Sequence, residues 1–384
     1  MKSLDIKYIG VDDLELDLFE SQYPLADGVS YNSYLIMDDK IAVMDCVDKR
    51  RTDEWISSLQ CELQGRKPDY LVVHHMEPDH SAGIAAFVEK YPDVTVVASA
   101  RAIQMLPQFF ETELAGVKTM AVKEGDVLPL GKHELTFYAA PMVHWPEVMV
   151  SYESAEKVLF SADAFGKFGA LCREQEWADE ACRYYINIVG KYGVQVQALL
   201  KKVSALDVEI IAPLHGPVLD ENLSYYIDLY NTWSSYKPEI DGVFIAYASI
   251  YGGTAKAASH LARELRNRGV NVAVADLTRE DKSLAVATAF RYSKMVLAAS
   301  SYDGGLFTPM HDFLYRLQIK SYQQRTVGII ENGSWAPVSG RVMREMVEKM
   351  KQVDIIEPVV TLRSTMHQAD MEAIEQLVKN LCCK

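Results

Sequence analysis

Beyond residue 241, apolar segments of strand length alternate strictly with segments of helical periodicity. The predicted strands are Gly242–Tyr247, Val270–Val274, Met295–Ala299, Thr326–Ile330 and Ile355–Val360. The predicted helices are Thr254–Asn267, Ser283–Phe290, Met310–Leu317, Val338–Val353 and Met371–Leu381. Five such units predict a doubly wound parallel sheet, because parallel strands need crossover helices and both faces must be covered. In such sheets ligands bind beyond the carboxyl ends of the strands, where the strand order reverses.

The preceding part of the chain also mixes strands and helices, but less regularly. Its predicted strands are Asp69–Val73, Val94–Ala98, Leu135–Ala139, Val158–Ser161 and Val208–Ala212. An amphipathic segment, Glu221–Trp233, is followed by a polar run whose Pro238 disfavours helix at Lys237. We therefore predict one domain over residues 1–236 and a second over residues 241–384, in keeping with a length of 384 residues.

Charge and hydropathy disfavour two classes of partner. The chain has 39 Lys and Arg against 53 Asp and Glu, and a formal net charge of -14 repels nucleic acid and anionic lipid. No run approaches the ~18 apolar residues of a membrane helix, and the N-terminus lacks the apolar core of a secretion signal. We expect no nucleic-acid partner, no membrane span and a cytoplasmic location.

The six cysteines include no C-x-x-C, so neither a disulfide framework nor a thiolate metal site is predicted.

Histidines and acids cluster directly after the strand predicted to end at Val73. The run reads HHMEPDH over residues 74–80, and a helix is predicted from Ser81 onward. Its candidate ligands are His75, Glu77, Asp79 and His80. This mixed nitrogen and oxygen set suits iron, manganese or zinc better than soft metals. A solvated loop is the alternative, but imidazoles and acids seldom converge at a strand end without a function.

Three more candidate ligands, His144, Asp163 and His215, each follow an apolar run. Alone, each could be an exposed loop residue or a buried structural one. Together with the cluster they make seven candidates, which suits two metals that share a bridging carboxylate. The other histidines are interpreted as structural: His74, His133, His260, His311 and His367.

The pattern H-x-E-x-D-H, followed by separate His, Asp and His, resembles the metallo-β-lactamase-like core of the flavodiiron proteins, also called A-type flavoproteins. Hydrolases of the same superfamily typically carry H-x-H-x-D-H, with histidine where this chain has Glu77. That exchange adds a negative charge, and anionic oxygen donors stabilise oxidised iron, which favours redox chemistry over zinc hydrolysis. The resemblance implies two irons, one held by His75, Glu77 and His144, the other by Asp79, His80 and His215, with Asp163 between them.

Three loops stand at the predicted ligand-binding edge of the C-terminal sheet. They comprise Ser249, Ile250, Tyr251, Gly252, Gly253 and Thr254 after the first strand; Ser301, Tyr302, Asp303, Gly304 and Gly305 after the third; and Asn332, Gly333, Ser334, Trp335 and Ala336 after the fourth. Hydroxyls and helix N-terminal N–H groups of the first loop can surround a phosphate. It is neither G-x-G-x-x-G nor a Walker loop, and it could also be a plain connector.

The aromatic residues of the other two loops suit a flat ring. Tyr302 and Trp335 can flank an isoalloxazine, although either alone could be an ordinary surface aromatic. The three loops together resemble short-chain flavodoxin, whose phosphate pattern S/T-x-T/Y-G-x-T is matched over Ser249–Thr254. The resemblance implies FMN as cofactor. It also implies an α+β metallo-β-lactamase-like αββα sandwich followed by an α/β flavodoxin-like doubly wound parallel sheet.

The resemblance covers essentially the whole chain and implies an oxidoreductase. Electrons would pass through FMN to a non-haem diiron centre that reduces dioxygen to water, nitric oxide to nitrous oxide, or both. The sequence has no paired C-x-x-C of a rubredoxin module, so a separate donor such as rubredoxin or a reduced deazaflavin is expected. The family's assembly implies a homodimer or a dimer of dimers. Two alternatives remain: a dizinc hydrolase with a regulatory flavodoxin domain, and an electron-carrying module whose metal site is vestigial.

Overall fold

The computed structural model describes residues 5–111, 114–174 and 176–383. It consists of two compact units, one comprising the residues up to Tyr185 and Val194–Asn231, the other Ile186–Gly193 and the residues from Thr232 onward. This division lies within a helix that ends at Ser234, slightly before the boundary placed from sequence. Within the described residues, no helix is both long and apolar enough to cross a membrane.

Two β-sheets form the centre of the first unit. Its strands are β1 (Ile6–Tyr8), β2 (Val11–Asp13), β3 (Leu18–Phe19), β4 (Tyr23–Pro24), β5 (Val29–Tyr31), β6 (Tyr34–Ile36), β7 (Ala42–Met44), β8 (Tyr70–Val73), β9 (Thr95–Ser99), β10 (Lys118–Val122), β11 (Val127–Pro129), β12 (Glu134–Ala139), β13 (Met149–Glu153), β14 (Val158–Phe160) and β15 (Ile210–Ala212). The helices of this part of the chain are α1 (Thr52–Leu63), α2 (Pro78–Ser81), α3 (Ile84–Lys90), α4 (Ala100–Phe109), α5 (Trp177–Tyr184), α6 (Gly193–Val203) and α7 (Leu223–Ser234).

The two larger sheets of this unit pack face to face. One has the order β1-β6-β7-β8-β9-β10 and the other the order β11-β12-β13-β14-β15. Met44 and Val97 of the first sheet belong to the same buried cluster as Phe137 and Phe160 of the second. Alternate residues of each strand point inward, and their removal from water stabilises the sandwich. Strands β7 to β10 run parallel, so several loops leave from the same edge.

The second unit is built around one parallel sheet. Its strands are β16 (Ile240–Ala248), β17 (Val272–Asp276), β18 (Tyr292–Tyr302), β19 (Gly305–Leu306), β20 (Arg325–Asn332) and β21 (Val353–Leu362). Its helices are α8 (Gly253–Asn267), α9 (Lys282–Arg291), α10 (Thr308–Ile319), α11 (Ser339–Val347) and α12 (Gln368–Cys383). The strand order is β17-β16-β18-β20-β21, with β19 paired to β18. This is the doubly wound order 2-1-3-4-5, and it reverses between β16 and β18.

Two predictions about this sheet are wrong in detail. The helix predicted over Val338–Val353 ends at Val347, because the chain must turn back before β21, and Gln352 takes a left-handed φ of 54° there. The third strand extends to Tyr302 and continues into a hairpin with β19. The hairpin turns at Asp303 and Gly304, whose φ values of 47° and 72° suit an Asp-Gly turn of the tight hairpin type.

Arg325, the first residue of β20, is buried and holds several backbone segments of this unit together. Its guanidinium donates to backbone carbonyls of Tyr236, Phe290, Tyr292, Gln323 and Gln324. We expect Arg325→Met to lower the free energy of unfolding by about 3 kcal/mol, because several buried carbonyls would lose their donor. Urea denaturation followed by circular dichroism measures the change. Arg341→Met is the control, since Arg341 is exposed and pairs within α11; equal losses in both variants would contradict this role.

Candidate functional site

The acidic and histidine cluster lies where β8 ends and α2 begins. The helix predicted from Ser81 starts earlier, at Pro78, since proline has no N–H to lose and a helical φ at the first position of a helix. Glu77 occupies the position before α2, while Asp79 and His80 lie on its single turn. Both Asp79 and His80 are buried.

The three remaining candidate ligands approach this cluster from loops of the other sheet. His144 lies between β12 and β13, Asp163 follows β14, and His215 follows β15. Strands β14 and β15 are parallel neighbours, so their carboxyl ends share an edge. Ala162, directly before Asp163, has a left-handed φ of 51°, a conformation that costs a non-glycine residue about 1–2 kcal/mol. The structure brings all seven predicted ligands together.

One donor set consists of His75, Glu77 and His144. Glu77 Oε2 lies 3.3 Å from His75 Nε2 and 3.0 Å from His144 Nε2. Asp163 Oδ2 lies 3.3 Å from each of the same two nitrogens. Metal bonds of about 2.1 Å separate neighbouring ligands by about 3.0 Å in an octahedron and about 3.4 Å in a tetrahedron. These four donors are therefore spaced as ligands of one ion.

The second set consists of Asp79, His80 and His215. Asp79 Oδ2 lies 3.4 Å from His80 Nε2 and 3.2 Å from His215 Nε2. Asp163 presents its other oxygen, Oδ1, 3.3 Å from His80 and 3.8 Å from His215. The two oxygens of Asp163 thus face different donor sets. His80 Nε2 therefore faces the same centre as the other candidate ligands.

The donor chemistry of these residues fits two divalent cations. Several atoms of the cluster are buried without a hydrogen-bond partner: His75 Nε2, His144 Nε2, and both carboxylate oxygens of Asp79 and Asp163. Unpartnered buried carboxylates are costly unless a cation compensates them. Four imidazoles and three carboxylates are also too many donors for one tetrahedral ion.

Two hydrogen bonds orient the imidazoles, and sequence reasoning missed both. Glu147, buried, accepts a hydrogen bond of 2.8 Å from His75 Nδ1, which leaves Nε2 directed at the site. His215 Nδ1 donates to the carbonyl of Ser30 at 2.7 Å, with the same consequence. Such partners fix the tautomer and raise the basicity of metal-bound histidines. Glu147 follows His144 by three residues, and an acid so close to a candidate ligand was a usable signal.

His74 is a structural residue, as predicted. Its Nδ1 lies 2.5 Å from Asp45 Oδ2, and its Nε2 lies 2.8 Å from Ser151 Oγ. Both ring nitrogens are therefore occupied within the core. Because neighbouring residues leave a strand on opposite sides, His74 faces away from the site to which His75 contributes.

The charge of the cluster predicts a pH dependence of metal binding. Burial alone would lower the pKa of His144, but the carboxylates of Asp163 and Glu77 raise it to about 9. The same kind of pairing holds the pKa of Asp163 well below its usual range despite burial. The metal-free protein therefore keeps a proton on His144 at neutral pH, and a metal must displace it.

We expect metal affinity to rise by roughly tenfold per pH unit for each displaced proton, up to about pH 9. Conversely, the stabilisation that protonated His144 gives the metal-free fold is complete below about pH 6.5 and disappears as pH rises through about 9. Adding metal to metal-free protein in weak buffer with an indicator dye measures the released protons. Metal uptake without proton release at pH 7 would contradict this account.

In the second unit, the first predicted cofactor loop joins β16 to α8. Ser249 Oγ accepts a hydrogen bond of 3.1 Å from the Gly252 N–H, which shapes the turn, and Gly252 has a φ of 87° that suits glycine. The side chain of Tyr251 is 99% exposed, and that of Ile250 is partly exposed. Thr254 is buried, and its hydroxyl bonds Ser300 rather than facing solvent.

The other two predicted loops lie at the same edge. In the third-strand hairpin, Ser301 Oγ accepts from the N–H groups of Val338 and Ser339, so it caps α11, while Tyr302 is half exposed. After β20, Asn332 is buried and donates to Thr254 Oγ1 at 3.2 Å. This hydrogen bond connects the loop after β20 to the loop after β16. The remaining predicted residues, Gly305, Gly333, Ser334 and Ala336, lie in these loops or at their ends, and Trp335 is 89% exposed.

Comparison with known proteins gives matches over both units. Residues 29–216 match the family described as ODP family beta lactamase. The anaerobic nitric oxide reductase flavorubredoxin of Vibrio vulnificus is 33% identical over 318 residues, which are 79% of this chain and 64% of that relative. The rubredoxin oxygen:oxidoreductase of Desulfovibrio gigas has a TM-score of 0.93 at 24% identity, covering 100% of this chain and 97% of the other. The flavodiiron protein of Giardia intestinalis has a TM-score of 0.90 at 21% identity, covering 100% and 96%.

The chain has the fold of a flavodiiron protein. The predicted fold class, a metallo-β-lactamase-like sandwich followed by a flavodoxin-like sheet, is confirmed by these full-length structural matches. The chain spans less than two thirds of the length of the Vibrio relative.

Proposed function

We propose that this chain is a flavodiiron oxidoreductase that reduces dioxygen to water, nitric oxide to nitrous oxide, or both, with electrons relayed through FMN to a diiron centre. The observation that carries the proposal is the position of Asp163. Its two oxygens face two separate donor sets, each with a further carboxylate, Glu77 in one and Asp79 in the other. That arrangement suits two ions held side by side.

This geometry supports one proposed ligand set for each ion. His75, Glu77 and His144 would hold one iron, Asp79, His80 and His215 the other, and Asp163 would bridge them. Glu147 and the Ser30 carbonyl would keep the ring nitrogens of His75 and His215 unprotonated toward the metals. A pair of ferrous ions supplies electrons and Lewis acidity to a bound diatomic molecule.

The residues of this centre favour iron over zinc on grounds of charge. Glu77, Asp79 and Asp163 carry three negative charges toward two divalent ions, and such anionic donors stabilise the higher oxidation state that redox cycling requires. The dizinc hydrolase is the disfavoured alternative, since the relatives are named for redox reactions. The vestigial-site alternative is disfavoured because all seven donors are present and buried or nearly so.

The second unit is proposed to bind FMN over the reversal of strand order between β16 and β18. The loop Ser249–Thr254 and the start of α8 would hold the phosphate, with Tyr302 and Trp335 beside the ring. The pronounced exposure of Tyr251 and Trp335, at the edge where such sheets bind ligands, supports this assignment. Relatives named flavorubredoxin and diflavin flavoprotein support a flavin in general.

The balanced reactions require an outside supply of electrons. Dioxygen takes four electrons and four protons to form two waters, and two nitric oxide molecules take two electrons and two protons to form nitrous oxide and one water. A separate rubredoxin or a reduced deazaflavin is the proposed donor, supported by the name of the Desulfovibrio protein. A homodimer or a dimer of dimers and a cytoplasmic location complete the proposal.

Electrode assays test the proposed reaction. Chemically reduced, iron-loaded protein is mixed with dioxygen or nitric oxide, and the gas consumed per chain is measured. We expect catalytic consumption of at least one gas and, with nitric oxide, accumulation of nitrous oxide. Consumption of neither gas by protein that contains both iron and FMN would refute the proposal.

A further inference from the structure

A fourth segment, the turn Arg363–Thr365 between β21 and α12, joins the three predicted cofactor loops. It packs directly against the start of α8: a Cβ on Gly253 would lie 2.0 Å from the carbonyl oxygen of Ser364. Glycine at position 253 is therefore required for this approach. The contact places the turn beside the first-turn N–H groups of α8, where the phosphate of the proposed cofactor would bind.

Asn332 holds this turn in place. It accepts from the Ser364 N–H at 3.0 Å and donates to the Ser364 carbonyl at 2.9 Å. The same amide donates to Thr254 Oγ1, and the hydroxyls of Ser334 and Ser364 lie 2.8 Å apart. Ser364 keeps a left-handed φ of 68° within this network. The Arg363–Thr365 turn is therefore fixed both to the loop after β16 and to the loop after β20.

The turn also brings a cation to loops that have none. None of the sixteen residues predicted to bind the cofactor is Lys or Arg, and one, Asp303, is acidic. Arg363 is exposed, and its Nη1 donates to the carbonyl of Trp335 at 3.3 Å. Within the described part of the chain, no carboxylate forms an ion pair with it. Several other arginines of this unit do pair with acids: Arg263, Arg268, Arg291, Arg316, Arg341 and Arg344.

We propose that Arg363 recognises the phosphate of the flavin, so that the Arg363–Thr365 turn makes the site selective for FMN over riboflavin. The inference rests on the proposed FMN binding and adds a residue outside the three predicted loops. A guanidinium presents a planar fork of N–H donors that matches phosphate oxygens, and it remains charged at all relevant pH values. Because no carboxylate among the described residues pairs with Arg363, its guanidinium is available to bind an anion although the net charge of the chain is -14.

Titration of the full-length, flavin-free protein with FMN and with riboflavin tests this role, with quenching of flavin fluorescence as the readout. For Arg363→Gln we expect FMN affinity to fall about tenfold while riboflavin affinity is unchanged, since a charge-assisted hydrogen bond at an exposed site is lost. Arg363→Lys keeps the charge and should retain more FMN affinity than Arg363→Gln. High salt should reduce the difference between the unaltered protein and Arg363→Gln.

Arg263→Gln is the matched control. Arg263 pairs with Glu264, about 15 Å along α8 from Gly253 at 1.5 Å per residue, so its loss should leave both affinities unchanged. FMN affinity unchanged in Arg363→Gln would overturn the inference. Equal losses for FMN and riboflavin would also overturn it, because Arg363 would then act only by holding the Trp335 loop. Failure of the unaltered protein to bind FMN would instead refute the proposed cofactor, and this inference with it.

Discussion

Replacing Asp163 with alanine is expected to abolish reduction of dioxygen and nitric oxide while FMN stays bound. The two oxygens of Asp163 face both donor sets, so its loss separates the two proposed irons and removes a negative charge that compensates them. We expect turnover to fall by about a thousandfold or more, because two ions must act on one substrate. Bound iron should fall below two per chain. Gas electrodes and elemental analysis measure these quantities.

The Asp163→Ala variant should remain folded. The variant loses the ion pairs of Asp163 with His75, His80 and His144, but each of these histidines also faces Glu77 or Asp79 and so keeps a carboxylate partner. Asp53→Ala, at an exposed position on α1, is the control for removal of an acid from the same unit. Normal turnover by an iron-loaded Asp163→Ala protein would contradict the bridging assignment.

The second large effect is expected at Glu147. Its carboxylate accepts from both His75 Nδ1 and the Met76 N–H, at 2.8 and 3.0 Å. Glu147→Gln keeps the shape but removes the charge that makes His75 a stronger ligand, and loss of such a partner typically lowers metal affinity 10- to 100-fold. Competition with a coloured chelator measures the affinity of metal-free protein for ferrous or zinc ions.

Glu124→Gln serves as the control for Glu147→Gln. Glu124 is exposed and pairs with Lys202, so its substitution should leave metal affinity within a factor of two or so. Glu147→Ala should bind metal no better than Glu147→Gln, because it loses the hydrogen bonds as well. An unaltered affinity in both Glu147 variants would show that the His75 orientation does not depend on this residue.

The candidate ligand cluster could be predicted from sequence because its histidines and acids stand where predicted strands end. His75, Glu77, Asp79 and His80 are compressed into one strand-to-helix connection, and each remaining candidate directly follows an apolar run. Strand ends are where side chains can converge, so residue type and position together were informative. Pro78 is also typical of the first position of a helix, but the helix was predicted only from Ser81 onward.

The supporting residues were harder to foresee. Glu147 does not belong to a metal-ligand motif. Ser30 contributes only a backbone carbonyl, which no sequence motif reveals. The turn at Arg363–Thr365 follows the fifth strand, β21, which is separated from β16 in the sheet by two strands, β18 and β20. Its approach to Gly253 depends on the neighbouring positions of α8 and α12, which share one buried cluster.

The alternation of strands and helices predicted the parallel sheet well, since all five predicted parallel strands are present. Two ends of elements were predicted wrongly, for different reasons. Met350 and Val353 continue a helical pattern of apolar residues, yet tertiary packing places the first in a turn and the second in β21. The extension of β18 into a hairpin was signalled by Asp303-Gly304, a tight-turn pair that was interpreted as an open loop.

The content of iron, zinc and FMN per chain, measured on one anaerobically prepared sample, distinguishes a diiron flavoprotein from a dizinc hydrolase. We expect two irons, one FMN and little zinc, with gas consumption that scales with the iron content. A colourless protein that holds two zinc ions, binds no added FMN and consumes neither gas would contradict this expectation.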